Sequence, residues 1–343
     1  MSVKGDVGHF ARQHASWHWS EVAFWCLALG CGFLFPSRYL IMTDITRLAL
    51  FALSLDLILG YAGIVSLGHA AFFGIGAYGA GLLALHGIIT EPVLALLAAG
   101  LAATVAGFAT SFLVIRGVDL TRLMVTLGIA LLLEALAERY SNITGGTDGL
   151  QGIEIAPVLG LFAFDIFGKT GFFYALATLF VLFLVARRVV HSPFGLSLRA
   201  IRNNPLRAGA IGVPVNRRLI AVYTLASFYA GIAGALFTQT TALASLDVFS
   251  FERSADLMLV LVIGGTGYLY GGLIGAVVFR LLQEVFSTIT PQYWQFWIGL
   301  VLVVIVLVGR ARLHRWVLFV PNLIIRRFGG GRAVVAVPET DAS

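Results

Sequence analysis

Long apolar runs, separated by short polar or basic breaks, fill this chain almost from end to end. Crossing the hydrocarbon core of a bilayer takes roughly 20 mostly apolar residues in helical form. On that criterion the pattern predicts ten spans, at about 20–35, 45–59, 64–86, 92–115, 121–139, 172–187, 218–241, 254–266, 272–289 and 293–309. The second and eighth runs are short, and each meets its successor at a glycine-rich turn. Only two breaks are long, 140–171 and 188–217. The remaining connections are short, which favours neighbouring helices in one compact bundle. The expected fold is an all-α integral membrane bundle of about ten transmembrane helices with two glycine-rich interruptions. Its expected limits are 19–309, after an N-terminal segment 1–18 and before a basic tail 310–343. That tail ends in Gly329-Gly330-Gly331 and a polar stretch expected to be disordered.

Composition agrees with the pattern. Hydrophobic residues make up 59% of the 343 and charged residues 12%, against about a quarter charged in a soluble domain. A net charge of +6 could suggest nucleic acid, but the basic residues sit in short loops between apolar runs. Membrane orientation explains them better. Counted by loop, 17 of the 23 Lys and Arg fall on the side that holds the N-terminus and 5 on the other, with Arg280 inside a span. Both termini are therefore expected to be cytoplasmic. The first 19 residues carry Lys4, Arg12, three histidines and interfacial tryptophans, with no clear small-residue cleavage site after the following run. That run is read as a first transmembrane helix rather than a signal peptide. Cys26 and Cys31 fit small apolar fillers, with no disulfide or metal spacing.

The strongest local pattern runs from Gly60 to Gly81, with glycine also at 63, 68, 74, 76 and 79. Glycine lets helix backbones approach closely in lipid. It also permits a turn or an unwound segment where backbone lines a cavity. These two roles are compatible. A second cluster, Gly264 to Gly272, likewise joins a short span to a longer one, and paired interruptions of this kind point toward a central pathway. Candidate path residues are Gly63, Ser66, His69, Tyr78, Gly265 and Thr266.

The 188–217 loop predicts a short amphipathic helix over Phe194–Asn203, a second after Pro205, and a break at Gly212. Such a basic segment suits anionic headgroups or serves as a docking helix for a cytoplasmic partner. The chain has no phosphate-binding loop, hence no ATPase of its own, and no His-Glu-x-x-His. It is expected to be neither an enzyme nor the holder of a cofactor or metal.

Ionisable residues in spans are costly in lipid and mark sites worth weighing. Asp56 and Glu134 lie deep, while Glu138, Asp256 and Glu284 lie near helix ends, with Arg280 inside a span. His69 is expected to hold two helices by a hydrogen bond. Asp56, His69 and Glu134 could instead serve an autonomous channel or secondary transporter, although they form no evident cluster in sequence.

Five ordered features carry a family resemblance. They are the Gly60–Gly81 run, the Ile143-Thr-Gly-Gly-Thr-Asp-Gly149 pattern, the 188–217 loop, Ala230–Leu236 and the Gly264–Gly272 cluster. Over about residues 40 to 309 the sequence resembles the permeases of branched-chain amino acid ABC transporters, of the LivM type. The resemblance implies a type II importer-like bundle in the bacterial inner membrane. It implies two cytoplasmic ABC ATPase subunits that use ATP, a second related permease and a periplasmic substrate-binding protein. It also implies alternating access coupled through the 188–217 loop, by way of Arg199, Arg202, Asn203, Asn204, Pro205, Ala208 and Gly212. Family members often carry an acidic residue where this chain has Asn203 or Asn204. Contact with the ATPase is then expected to rest on Arg199, Arg202 and helix shape.

Overall fold

The structure, a computed structural model, describes residues 19–117 and 119–308. The expectations for 1–18 and for the tail 310–343 lie outside those residues. The described chain is helical, with isolated bridges at Leu150–Ala244 and Val158–Phe162 as its only β pairing. Helix α1 covers Trp19–Leu34, α2 Tyr39–Ala62, α3 Ala70–Leu85, α4 Pro92–Arg116 and α5 Asp119–Arg139. After the first long loop come α6 (Lys169–Val190), the loop helices α7 (Pro193–Asn203) and α8 (Pro205–Ala210), and α9 (Val215–Thr241). The chain continues with α10 (Phe251–Gly264), α11 (Leu269–Ile289) and α12 (Trp294–Val308).

Six helical stretches are long and apolar enough to cross a membrane: 36–62, 92–116, 120–139, 169–190, 215–241 and 269–289. Trp19–Leu34, Ala70–Leu85 and Trp294–Ile305 are apolar but shorter. Lipid tails are as apolar as leucine, so helices in a bilayer associate through close packing rather than hydrophobic burial. The centre of this bundle shows how. Backbones of α3 and α9 meet at Gly76 against Gly231 and at Gly234 against the Phe73 carbonyl, where any Cβ would overlap main chain. Thr238 on α9 donates to the Ala77 carbonyl of α3 at 2.9 Å. Helices α2 and α9 are largely buried, whereas α5 is mostly exposed.

Two expected boundaries differ. The second span, read as 45–59, is a 24-residue helix that begins at Tyr39 and is not short. Arg47, counted with the loop charges, and Asp44, just before the expected span, pair with each other inside the helix. Arg47 also donates to Thr240 Oγ1 at 2.6 Å and lies over the Phe237 ring, while Arg280 of α11 reaches Asp44 at 2.6 Å. Neutralised charges of this kind let the helix run on. The run read as a span over 64–86 is helical only from Ala70; 63–69 is irregular.

The chain divides into two compact units, Met1–Glu284 and Val285–Ser343. In the second, Phe286 and Trp297 stack with centroids 6.3 Å apart.

Candidate functional site

The loop helix α7 starts with Pro193 in its first turn, where a missing N–H costs nothing. It buries Leu198 and Ile201 on one face. Arg199 and Arg202, three apart, then share an edge of the helix. Both side chains turn back onto the bundle. Arg202 donates to the carbonyl of Gly60, in the last turn of α2. That end of a helix carries orphan carbonyls and the negative pole of its dipole, so a cation is stabilised there. The Arg202 stem lies against Gly63, which ends α2 in the left-handed region at φ +75°. The Arg199 guanidinium sits 5.3 Å from the centroid of the Tyr61 ring.

The turn between α10 and α11 closes the arrangement. Gly265 and Gly267 take φ of +108° and +83°, open to glycine without strain. Asp56 of α2 accepts a hydrogen bond from the Gly267 N–H at 2.7 Å, and the Arg202 guanidinium lies beside Gly267. The loop helix, the end of α2 and the 265–268 turn are thus tied at one point by Arg202 and Asp56. Around that point is a cavity of about 670 Å³, bordered by Arg199, Asn203, Thr266, Tyr268 and the Glu21–Arg187 ion pair.

Of the residues singled out in the sequence, this joint brings together Gly63, Arg199, Arg202, Asn203, Gly265 and Thr266. The others lie elsewhere. Asn204 Oδ1 accepts from the Arg207 N–H at 2.9 Å and caps α8. Ala208 is buried, Gly212 has φ +88°, and Leu206 and Ile211 stand 86% and 72% exposed. Pro205 starts α8.

His69 and Ser66 lie in the packed 63–69 turn. His69 is fully buried, with Nε2 2.8 Å from Ser54 Oγ of α2 and its ring stacked on Phe51. Its Nδ1 and the hydroxyl of Ser66 have no hydrogen-bond partner among the described residues. Two side chains hold the turn's backbone: Thr126 Oγ1 accepts from Leu67 N at 3.2 Å, and Ser254 Oγ from Ala70 N at 3.0 Å. Tyr78 is further along α3, stacked on Phe249 at 5.5 Å. Ser66, His69 and Tyr78 do not border the 670 Å³ cavity. Asp56, His69 and Glu134 have separate surroundings: Asp56 at the 265–268 turn, His69 against Ser54, Glu134 half-exposed on α5. Among the described residues no group of three His, Cys, Asp or Glu could hold a metal ion.

The sequence reading missed the Asp44–Arg47–Arg280 network and the Glu21–Arg187 pair. The i, i+3 spacing of Asp44 and Arg47 beside an apolar run was the one signal available for the first.

The family model described as "Branched-chain amino acid transport system / permease component" matches residues 38–306. The chain is 27% identical over 286 residues to the high-affinity branched-chain amino acid transport system permease protein LivM of Escherichia coli (strain K12), covering 77% of this chain and 67% of that protein. The LivM protein of Salmonella typhimurium (strain LT2) is 28% identical over 254 residues, 68% of this chain and 59% of its own length. The ribose import permease protein RbsC of Bacillus subtilis (strain 168) is 28% identical over 171 residues, 46% of this chain and 53% of that protein. The chain thus spans about two thirds or less of the length of these relatives. No solved structure gives a significant match.

Proposed function

The chain belongs to the branched-chain amino acid transport permease family, and from that premise we propose that it is the membrane-spanning permease subunit of an ATP-driven ABC importer for branched-chain or related amino acids. In this reading ten helices cross the bacterial inner membrane, interrupted at the two glycine-rich turns, with both termini cytoplasmic. Two ABC ATPases hydrolyse the ATP, a second related permease completes the membrane part, and a periplasmic binding protein delivers substrate. The chain itself is not an enzyme and binds no cofactor.

The observation that carries the reading is the joint beneath α7. One short helix grips the end of α2 through Arg202, and Asp56 of α2 grips the 265–268 turn. A displacement of α7 is therefore passed to the end of α2 and, through Asp56, to the 265–268 turn by contacts made of single side chains. The lever has two faces. Exposed Leu206 and Ile211 on and after α8 meet the ATPase, while Arg199 and Arg202 hold the lever onto the permease rather than reaching the partner. Asn203 borders the cavity, Asn204, Pro205 and Ala208 shape α8, and Gly212 releases the chain into α9. Gly63, Gly265 and Thr266 form the cytoplasmic end of the substrate route, and Ser66, His69 and Tyr78 support it from within the packed bundle.

The test separates lever from grip. In mild detergent, an Arg202→Ala permease is expected to keep its ATPase through purification yet lose substrate uptake and substrate-stimulated ATP hydrolysis. A Leu206→Glu/Ile211→Glu variant is expected to lose the ATPase itself. Release of the ATPase by Arg202→Ala would reassign the arginines to docking. If no ATPase accompanies even the unaltered chain, a channel or secondary transporter replaces the importer, with Asp56, His69 and Glu134 the residues to mutate.

A further inference from the structure

At the Lys169 end of α6, away from the loop helices, a cleft of about 740 Å³ opens between α4 and α6. Its walls include Leu97 of α4 and Phe173, Ala177 and Val181 of α6, and Phe228 of α9 forms its floor. The hairpin Val158–Phe162 roofs it, closed by the Val158 N–H on the Phe162 carbonyl at 2.8 Å. The hairpin is tethered to the start of α4, since Leu159 N donates to Glu91 Oε1 at 3.4 Å. Lys169 is the one charged residue in the lining, and among the described residues it has no ion pair.

An apolar cleft of this kind, in a helix bundle that sits in lipid, forfeits dispersion contacts if nothing apolar fills it. The lining is mostly aliphatic and aromatic, with Lys169 at one end, which matches an amphiphile with a hydrocarbon body and an anionic head better than a wholly apolar helix face. A single hydrocarbon chain is slim and can enter from the side.

Two further observations set the depth and the polar end. The loop next to the cleft turns Leu161, Ile166 and Phe167 outward, 79%, 97% and 81% exposed. Aromatic and aliphatic side chains so displayed suit the headgroup boundary. Lys169, at the first position of α6, carries its ammonium on a flexible stem at that level. Asp165 already accepts from the N–H groups of Lys169 and Thr170 at 3.2 and 2.9 Å, so an anion there meets the ammonium rather than the helix terminus.

We propose that the α4–α6 cleft is a phospholipid site, in which one acyl chain fills the apolar space and the headgroup phosphate lies at Lys169. The inference needs the chain to be a membrane protein and does not depend on its transported substrate. The lipid acts as a wedge that sets the spacing of α4 and α6 beneath the 158–162 hairpin.

The test is photo-crosslinking of the intact transporter in nanodiscs made with a phospholipid that carries a diazirine near the end of one acyl chain. Label is expected to concentrate on peptides bearing Leu97 and Phe173–Val181, and to fall severalfold there in Ala177→Trp, which fills the exposed space beside α6. Thr178→Phe is a second, milder filling variant, expected to act in the same direction, and Leu101→Trp, outside the lining, is a control expected to leave the label unchanged. Lys169→Gln is expected to weaken labelling by the phospholipid but not by a photoreactive diacylglycerol, which lacks the phosphate. Even labelling of all outward-facing helices, insensitive to the filling variants, would overturn the proposal. So would complete protection of the cleft in the assembled transporter, since that would make it an interface with another chain.

Discussion

The turn at 63–69 and the turn at 265–268 both connect a pair of helices through glycine, yet one is packed solid and the other borders a cavity. In the first, backbone is pressed against backbone: Gly68 lies on the Thr126 carbonyl, and in the helix that follows Gly76 lies on Gly231. Buried side chains of Ser54, Thr126 and Ser254 hold the segment to α2, α5 and α10. In the second, glycine supplies left-handed geometry at 265 and 267, and one carboxylate from α2 pins the Gly267 N–H. Small residues at close contact leave no freedom in the first turn; in the second, glycines at positive φ shape the backbone, and one side of the turn borders the cavity. The same residue type therefore marks a fixed point in one turn and a joint of special backbone geometry in the other.

Substitutions can break that contrast. The largest effect is expected for Gly76→Leu, because the new side chain meets the Gly231 main chain, which cannot move aside. Folded protein, read by size-exclusion chromatography of a fluorescent fusion, is expected to disappear. A well-folded Gly76→Leu would mean that the α3–α9 contact does not fix the helix that follows the first turn. Asp56→Ala comes next. It strips a part-buried N–H of its acceptor, at a cost below the roughly 1–3 kcal/mol of a fully buried one, and should lower the thermal midpoint. Asp56→Asn, which keeps an acceptor oxygen, should lower it less. Gly267→Ala is expected to cost about 1–2 kcal/mol for left-handed backbone, and it crowds the tip of the Arg202 side chain and the Gly60 carbonyl. Its uptake should fall further than its stability. Equal losses in both would make the second turn as rigid as the first. The smallest effect is expected for Asn204→Ala, which removes the α8 cap at about 1 kcal/mol. Asn204→Asp keeps the cap and should match the unaltered chain in a thermal melt.

How much of this was legible in the sequence depended on the range of the interaction. The loop helices were readable because their signals are local. Pro193 and Pro205 start them, apolar residues recur at helical spacing, and the break falls near Gly212. Asn204 looked like the loss of a salt bridge to the ATPase; its side chain is spent on capping α8. Arg202 was found as a loop residue, but its partner Gly60 is 142 positions away, and no pattern in a single sequence reports such proximity. The true start of α2 was hidden because Arg47 was counted with the loop charges, and its pairing with Asp44 is what makes both compatible with a span. The α4–α6 cleft left no signal either, since its walls come from helices whose apolar residues are of the usual kind.

The Asp44–Arg47 pair also bears on how the chain is put into a membrane. Helices enter in the order in which they are synthesised, and Arg280 lies 236 residues after Asp44. The Asp44 carboxylate of α2 has a partner inside its own helix, the arginine three positions on. The pair lets the segment enter lipid with its charges already balanced. Arg280 then meets a carboxylate held in place, 2.6 Å from its own guanidinium once α11 has docked. The network thus joins a local ion pair, three residues apart, to a third member 236 residues away that fastens α11 to α2.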